Sequence, residues 1–231
     1  MLIRWENLPE QMKTKSVKPY YDILVDKQLS LGVKRLFDIV VSLLMIVILS
    51  PVFLILSILI KMDSEGPVFY RQVRVTTGNR DFRIFKFRTM VQNADKVGSL
   101  VTAGNDVRIT RIGGKIRKCR LDEVPQLLNV LKGEMSFVGT RPEVRKYVDA
   151  YNDEMMATLL MPAGITSLAS IKYKDEDAIM DRYMAEGEST DEVYVQHVLP
   201  EKMKYNLEYI NRFSFWRDIS LMLKTFVSVI K

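Results

Sequence analysis

Asp122 and Glu123 are adjacent carboxylates that follow a strongly basic stretch of the sequence. A carboxylate can attack phosphorus, as in enzymes that form an aspartyl-phosphate, while its neighbour holds Mg²⁺ together with substrate phosphate oxygens. Nearby basic side chains would neutralise charge on the transferring phosphoryl group. The alternative is structural, because an N-cap Asp with Glu in the first turn stabilises a helix by about 1 kcal/mol.

The positive charge of the chain is concentrated in its middle. Lys and Arg against Asp and Glu number 7 and 5 in residues 1–60, 14 and 5 in residues 61–120, and 13 and 18 in residues 121–231. The resulting net charges of +2, +9 and −5 sum to the +6 of the whole chain. Such a segment indicates an anionic partner, which is a lipid headgroup, a nucleic acid or a phosphorylated substrate. No nucleic-acid-binding module is recognisable, and the carboxylate pair favours the phosphorylated substrate.

Cysteine and histidine are too scarce for several common kinds of site. Cys119 and His197 are the only residues of their types. A single cysteine excludes a disulfide framework within the chain, and one Cys with one His excludes the usual Cys/His zinc sites. A hydrolase triad would depend on His197 alone.

An uncharged segment of 22 residues, Ile39–Ile60, predicts a membrane element. As a helix it would be about 33 Å long, against a hydrocarbon core of roughly 30 Å. Ser50-Pro51 lies at its midpoint, where proline favours a kink or a break. Basic residues flank both ends, so the positive-inside rule gives no direction of crossing. A re-entrant helix that breaks at Ser50-Pro51 satisfies both observations, and a single-pass helix with a tolerated proline is the alternative.

The elements around the carboxylate pair are predicted from shorter patterns. The segments 68–75 and 81–88 predict a β-hairpin, in which alternating residues give one apolar and one cationic face. The pair Gly113-Gly114 interrupts the basic stretch, and a helix is predicted to begin at Asp122 and to end at Lys132-Gly133. The tail from Glu201 is amphipathic and aromatic, so it lies in a membrane interface or packs into the core.

Eight features occur in one order between about residue 34 and residue 169. They are the apolar helix with Ser50-Pro51 and the motifs Lys34-Arg35-Leu36-Phe37-Asp38, Gly66-Pro67-Val68-Phe69, Phe85-Lys86-Phe87-Arg88-Thr89-Met90, Asp106-Val107-Arg108-Ile109-Thr110-Arg111, Leu121-Asp122-Glu123-Val124-Pro125-Gln126, Lys132-Gly133-Glu134-Met135-Ser136 and Arg141-Pro142. Together they resemble the bacterial sugar transferase family, the monotopic phosphoglycosyl transferases.

The resemblance implies a reaction and a set of site residues. A sugar-1-phosphate would pass from a UDP-sugar to polyprenol phosphate through a covalent intermediate on Asp122, with release of UMP and with Glu123 binding Mg²⁺. The product would begin a surface glycan or glycoconjugate. The residues expected to bind substrate phosphate or nucleotide are Lys86, Arg88, Arg108, Arg111, Arg141 and Pro142.

We therefore expect an α+β fold that is mostly helical with a small β-hairpin, in a monotopic membrane protein with interfacial amphipathic helices. Residues 1–35 would form a polar interfacial segment, residues 36–61 the re-entrant helix, and residues 62–231 a catalytic domain on the cytoplasmic face of the bacterial inner membrane. The partners would be a nucleotide sugar, polyprenol phosphate and the bilayer, without nucleic acid, and a homodimer is left open. The alternative is a membrane-anchored basic scaffold that binds anionic lipid or nucleic acid.

Overall fold

The computed structural model describes residues 2–94, 106–173 and 176–230 of the chain, which are mostly helical. The α-helices are α1 (Lys18–Val25), α2 (Gln28–Asp63), α3 (Arg111–Lys118), α4 (Leu127–Lys132), α5 (Arg145–Val148), α6 (Leu168–Lys172), α7 (Glu176–Ala185), α8 (Thr190–Val193), α9 (Leu199–Asn211) and α10 (Phe215–Ile230). The strands are β1 (Phe69–Thr76), β2 (Arg80–Phe87), β3 (Met135–Val138) and β4 (Ala163–Thr166). Short 3₁₀ helices span Trp5–Asn7, Glu10–Met12, Thr77–Asn79, Leu121–Gln126 and Met155–Leu160, and a π-helical turn spans Tyr194–Val198.

The antiparallel pair β1–β2 confirms the predicted hairpin but not its predicted faces. The strands pair along their full lengths, with Tyr70 opposite Lys86. The prediction of one apolar and one cationic face is wrong, because the alternation changes phase between Ile84 and Phe85. Phe82 and Ile84 are buried on the face that carries Lys86 further along β2. One face of the hairpin therefore carries buried apolar side chains and cationic side chains together.

A second, parallel pair is formed by β3 and β4, which no sequence pattern predicts. Just beyond β3, Gly139 lies against Gly164 so closely that a Cβ on Gly164 would be 2.2 Å from the Gly139 nitrogen. A side chain does not fit at this contact. The contact fixes where the chain leaves β3, two residues before Arg141.

The N-terminal residues pack into the main hydrophobic core. Met12, Val17 and Leu24 are completely buried in the cluster that also contains β3 and α9 side chains. Lys27 Nζ donates a hydrogen bond of 2.6 Å to the Phe213 carbonyl. Residues 1–35, predicted as a polar interfacial segment, thus contribute directly to the hydrophobic core.

The first half of α2 is anchored to that body by buried polar side chains. Lys34 and Asp38, four residues apart, lie on one face of the helix. Lys34 Nζ donates to the carboxylate of Asp218 at 2.6 Å and to the Val138 carbonyl at 2.8 Å. The Phe137 N–H donates to Asp38 Oδ1 at 3.3 Å. These contacts join α2 to β3 and α10.

The middle of α2 projects from the body, and its last turns return to it. Leu56 and Ile60 are buried in a cluster with Phe87 and Ile116. Between the two anchored ends, the exposed large apolar side chains are Val40, Leu43, Leu44, Met45, Val47, Ile48, Leu54 and Ile55. Within the described ranges, α2 is the one helix long and apolar enough to cross a membrane.

Pro51 lies inside α2 and does not interrupt it. In an α-helix the N–H at this position would bond to the Val47 carbonyl, and proline has no N–H. The Ser50 hydroxyl donates to the Val47 carbonyl at 2.8 Å and replaces that bond. The helical conformation therefore continues through Ser50-Pro51, where a break was predicted, and a kink there stays a prediction.

The two helices of the tail have different roles. The apolar side chains of α9 are mostly in the core, and α10 is amphipathic, with Leu221 buried and Trp216 and Phe226 exposed. The α10 ring of Phe215 packs edge-on against Phe37 of α2, with 5.5 Å between centroids. Core packing thus explains α9, and an exposed apolar face remains on α10.

Candidate functional site

Asp122 and Glu123 lie in the 3₁₀ helix Leu121–Gln126, which connects α3 to α4. Arg120 immediately before it has a left-handed backbone (φ 56°, ψ 18°). The α-helix predicted to begin at Asp122 begins instead with α4, which does end at Gly133 as predicted. Asp122 is therefore not an α-helix N-cap, and helix capping does not account for the carboxylate pair.

Lys86 of β2 binds the second carboxylate. Its Nζ donates to Glu123 Oε1 at 2.8 Å, and both side chains are partly buried. The 3₁₀ helix packs along β2, which holds the pair in place. A lysine predicted as a phosphate ligand is thus in direct contact with the predicted catalytic pair.

The two carboxylates face different cavities. Asp122 lines a cavity of about 450 Å³, and Glu123 lines a smaller one of about 30 Å³. Lys86 and Arg74 line both cavities. The other cationic side chains of the large cavity are Arg71, Arg88, Arg108 and Arg117. An anionic ligand in the large cavity would therefore contact Asp122 from a positively charged wall.

The two carboxyl groups have opposite pKa shifts. Burial, and then the charge of Glu123, raise the pKa of Asp122 above its ordinary value, against the effect of Lys86. Burial would also raise the pKa of Glu123, but the cations Lys86 and Arg141 outweigh it and lower that pKa. Glu123 is the carboxylate whose charge the protein stabilises more strongly.

Arg141 and Pro142, which the sequence analysis expects to bind substrate phosphate, line the small cavity beside Glu123. Arg74 reaches the same turn, since its Nη1 donates to the Pro142 carbonyl at 3.2 Å. The turn from β3 thus places a guanidinium group close to the carboxylate pair.

Arg88 lines the large cavity, but its main contacts are structural. The side chain is 5% exposed. Its Nη2 donates to the Ser64 carbonyl at 2.6 Å, to the Ser64 hydroxyl at 3.0 Å and to the Ile60 carbonyl at 3.4 Å. Arg88 therefore caps the C-terminal end of α2, where carbonyl groups lack helical partners.

Arg108 and Arg111 differ in whether they reach the large cavity. Arg108 lines the large cavity, while its guanidinium binds the Asp106 carboxylate and the Ala94 carbonyl. Arg111 is the exposed first residue of α3 and lines neither cavity. The structure brings Arg108 to the site, together with a counter-ion, and does not bring Arg111 there.

Arg74 and Tyr70 are wall residues that the sequence reasoning missed. Both lie on β1 and line the large cavity. Two features of the hairpin could have identified them. Side chains alternate along a strand, so Tyr70, Gln72 and Arg74 lie on one face, and the strand pairing puts Tyr70 opposite Lys86. Once the hairpin register is known, these residues follow from Lys86.

A metal ion would have to share its ligands with a substrate. Among the described residues, no cluster of three or more His, Cys, Asp or Glu side chains could hold one. Mg²⁺ commonly uses one or two carboxylates with phosphate oxygens, so Asp122 and Glu123 fit this donor set. His197 is elsewhere and stacks on the Tyr183 ring at 3.7 Å between centroids.

Known proteins resemble this chain over most of its length. Residues 29–231 match the model of a family described as bacterial sugar transferase. UDP-N-acetylgalactosamine-undecaprenyl-phosphate N-acetylgalactosaminephosphotransferase of Aeromonas hydrophila is 38% identical over 201 residues, which are 86% of this chain and 44% of that protein. The UDP-glucose:undecaprenyl-phosphate glucose-1-phosphate transferase of Caulobacter vibrioides is 34% identical over 200 residues, 85% of this chain and 69% of its own.

A shorter relative is covered more completely. The exopolysaccharide production protein ExoY of Sinorhizobium fredii is 29% identical over 211 residues, which are 85% of this chain and 84% of that protein. The chain therefore spans less than half of the Aeromonas relative and most of the Sinorhizobium one.

Proposed function

Because the chain belongs to the bacterial sugar transferase family, we propose that it transfers a sugar-1-phosphate from a UDP-sugar to polyprenol phosphate. The products are a polyprenyl-diphosphate-sugar, which begins a surface glycan or glycoconjugate, and UMP. The names of the Aeromonas and Caulobacter relatives describe transfer from UDP-sugars to undecaprenyl phosphate, which supports this reaction class.

The observation that carries the proposal is the placement of Asp122 on the wall of a large cationic cavity, with Lys86 bound to its neighbour Glu123. A UDP-sugar brings a diphosphate, which such a cavity attracts. Asp122 is then the carboxylate that faces the ligand, and Glu123 is the one that the surrounding cations hold in its charged form.

We propose two displacements at one phosphorus atom. First, a carboxylate oxygen of Asp122 attacks the phosphorus that bears the sugar, and the P–O bond to UMP breaks with its electron pair leaving on UMP. Second, a phosphate oxygen of polyprenol phosphate attacks the same phosphorus, and the bond to Asp122 breaks to regenerate the carboxylate. Each step exchanges one P–O bond for another and needs no redox partner.

The cationic side chains around the carboxylate pair stabilise charge during these steps. Lys86 and Arg141 lie around Glu123, and Arg117 shares the large cavity with Asp122. Such groups are most effective in a water-poor site, where charge develops on the transferring phosphoryl oxygens. Glu123 would hold Mg²⁺ together with substrate phosphate oxygens, and the ion would neutralise diphosphate charge when bound.

We further propose that α2 is re-entrant. Both of its ends pack on the same folded body, through Lys34 at one end and Ile60 at the other, while the apolar middle is exposed. A folded body with a polar, charged surface stays on one side of the hydrocarbon core of a bilayer. Both ends of α2 therefore belong on the same membrane face. The exposed apolar face of α10 would lie in the interface on that side.

We propose that this body lies on the cytoplasmic face of the inner membrane, where the nucleotide sugar is dissolved and the acceptor is embedded. Reporters fused at residues 1 and 231 test the topology. Both reporters are expected on the cytoplasmic side, and opposite sides would contradict a re-entrant α2.

The chemical proposal is tested without the lipid acceptor. Purified protein is incubated with a panel of UDP-sugars and Mg²⁺, and one equivalent of UMP is expected together with a sugar-phosphate adduct located on Asp122 by mass spectrometry. Asp122→Asn is expected to abolish both signals. Asp149→Asn is the matched control, because that carboxylate is exposed and distant in sequence. Retention of turnover by Asp122→Asn would exclude the covalent role.

Steady-state kinetics separates this mechanism from direct transfer in a ternary complex. The covalent mechanism predicts ping-pong kinetics with respect to UDP-sugar and polyprenol phosphate. Sequential kinetics without an adduct would instead assign Asp122 to metal binding.

A further inference from the structure

The turn that carries Arg141 is connected to α7 and α9 by a chain of polar contacts. Glu143 is 5% exposed, and its Oε1 accepts a hydrogen bond of 2.7 Å from the Tyr194 hydroxyl. The Tyr194 oxygen accepts in turn from Lys202 Nζ at 3.2 Å. Lys202 also donates to Glu176 Oε1 at 2.6 Å. An acidic part of the sequence without a recognisable motif is thus joined to the site.

The backbone of the same turn is held from the opposite side by β1. Arg74 Nη1 donates to the Pro142 carbonyl at 3.2 Å, and the Val75 N–H donates to the Glu143 carbonyl at 3.0 Å. The main chain is therefore fixed by the hairpin, and the direction of the Glu143 side chain is fixed by Tyr194.

Glu143 lies two residues after Arg141, so the same guanidinium is subject to two carboxylates. Desolvation lowers the pKa of Arg141, but the charges of Glu123 and then Glu143 outweigh it and raise the pKa above its ordinary value. If the Glu143 carboxylate turned toward Arg141, it would compete with Glu123 and with a substrate phosphate for that cation. The hydrogen bond from Tyr194 opposes this movement.

We propose that Tyr194 is a positioning residue, which holds the Glu143 carboxylate toward α9 so that Arg141 stays available to Glu123 and to substrate phosphate. The inference rests on the proposed function and extends the active site to α7 and α9. Tyr194 does not touch the substrate, and it acts through Glu143.

Tyr194→Phe is the direct test. The phenylalanine ring retains the stack on Tyr147, where the centroids are 4.2 Å apart, and removes only the hydroxyl. Loss of a hydrogen bond to a charged group is expected to lower kcat/KM for the UDP-sugar by about ten-fold. Tyr20→Phe is the matched control, because the Tyr20 hydroxyl donates to Glu154 at 2.6 Å away from both cavities. It is expected to leave kcat/KM unchanged.

The double variant Glu143→Gln with Tyr194→Phe distinguishes positioning from general loss of structure. A neutral amide does not compete for Arg141, so most of the activity lost in Tyr194→Phe is expected to return. Full activity of Tyr194→Phe, or no recovery in the double variant, would overturn the proposal.

Hydrogen exchange of residues 140–144 supplies a readout that is independent of turnover. Because Arg74 and Val75 hold the main chain, exchange is expected to be the same in Tyr194→Phe, wild type and Tyr20→Phe, in preparations with cooperative thermal unfolding. Faster exchange in Tyr194→Phe would show that the hydroxyl supports the main chain of the turn, and it would overturn positioning of the Glu143 side chain as the role of Tyr194. If wild type turns over no UDP-sugar, the proposed function fails, and the exchange measurement still decides the role of Tyr194.

Discussion

Lys34 of α2 and Asp218 of α10 form an ion pair of 2.6 Å in which the two side chains are only 6% and 3% exposed. Lys34 also reaches the Val138 carbonyl at the end of β3. Burial raises the pKa of Asp218 despite the opposite effect of Lys34. The pair joins the two helices that carry exposed apolar faces, and so it sets their relative orientation.

Removing Lys34 alone should be strongly destabilising. Lys34→Met leaves the Asp218 carboxylate buried without a cation, which is expected to cost about 3–5 kcal/mol in the free energy of unfolding. Lys18→Met is the control, because its pair with Asp22 is exposed and is worth about 1 kcal/mol or less. Denaturation of both variants in one detergent checks this. The double variant Lys34→Met with Asp218→Leu should regain most of the lost stability. An equal loss of stability in Lys34→Met and in Lys18→Met would refute the explanation.

Ser50→Ala should weaken α2 more than Ser57→Ala does. The Ser57 hydroxyl donates to the Phe53 carbonyl. In an α-helix that carbonyl also accepts from the Ser57 N–H, so it keeps a partner when the hydroxyl is removed. The Val47 carbonyl has no such N–H because of Pro51, so loss of the Ser50 hydroxyl leaves an acceptor unpaired in an apolar environment. A cost of about 1 kcal/mol or more is expected. Thermal unfolding in nanodiscs measures the difference, and equal melting temperatures would contradict it.

Arg88 and Arg111 should respond differently to alanine substitution, although the sequence assigns both to phosphate binding. Arg88→Ala removes the cap from the end of α2 beside the large cavity, so activity and thermal stability are both expected to fall. Arg111→Ala removes an exposed side chain and should change stability by about 0.5 kcal/mol or less. Activity assays and unfolding of the two variants provide the comparison. A larger loss of activity in Arg111→Ala would show that Arg111 reaches the substrate.

Asp106 should stabilise the protein only above acidic pH. Hydrogen bonds from Arg108 lower the pKa of Asp106 from 3.8 to about 2. Between these values the unfolded chain binds more protons than the folded one, so the contribution is complete above the unfolded pKa and is lost as pH falls through about 2. The melting-temperature difference between wild type and Asp106→Asn should therefore shrink as the pH is lowered from 7 to 2. A constant difference would exclude ionisation of Asp106 as its source.

Local patterns and ordered motifs were sufficient for the long apolar helix, the hairpin and the family. An uncharged run of 22 residues predicts α2, and turn residues between two apolar segments predict β1–β2. Lys86 and Arg141 belong to those motifs, and the fold brings both of them to Glu123.

The parts of the fold and of the site that were not predicted depend on tertiary contacts. β3 is buried at all four residues, so it shows no alternation from which a strand could be recognised. The pair Gly113-Gly114, which interrupts the basic stretch of the sequence, lies inside α3. A Cβ on Gly113 would be 2.1 Å from the Thr89 carbonyl oxygen, so a glycine there allows α3 to pack closely against Thr89. Likewise, a basic residue such as Arg88 has the same appearance in sequence whether it caps a helix or binds phosphate.

If α2 inserts into a bilayer as proposed, the cap formed by Arg88 sets the height of the carboxylate pair above it. Arg88 bonds to the last turn of α2, and Lys86 lies two residues earlier on the same strand, about 7 Å away along it. The depth to which α2 inserts would then determine how far the carboxylate pair stands from the headgroups. On the proposed function, an acceptor phosphate anchored at the bilayer surface would meet the site at a constant level, whatever the length of its polyprenyl chain.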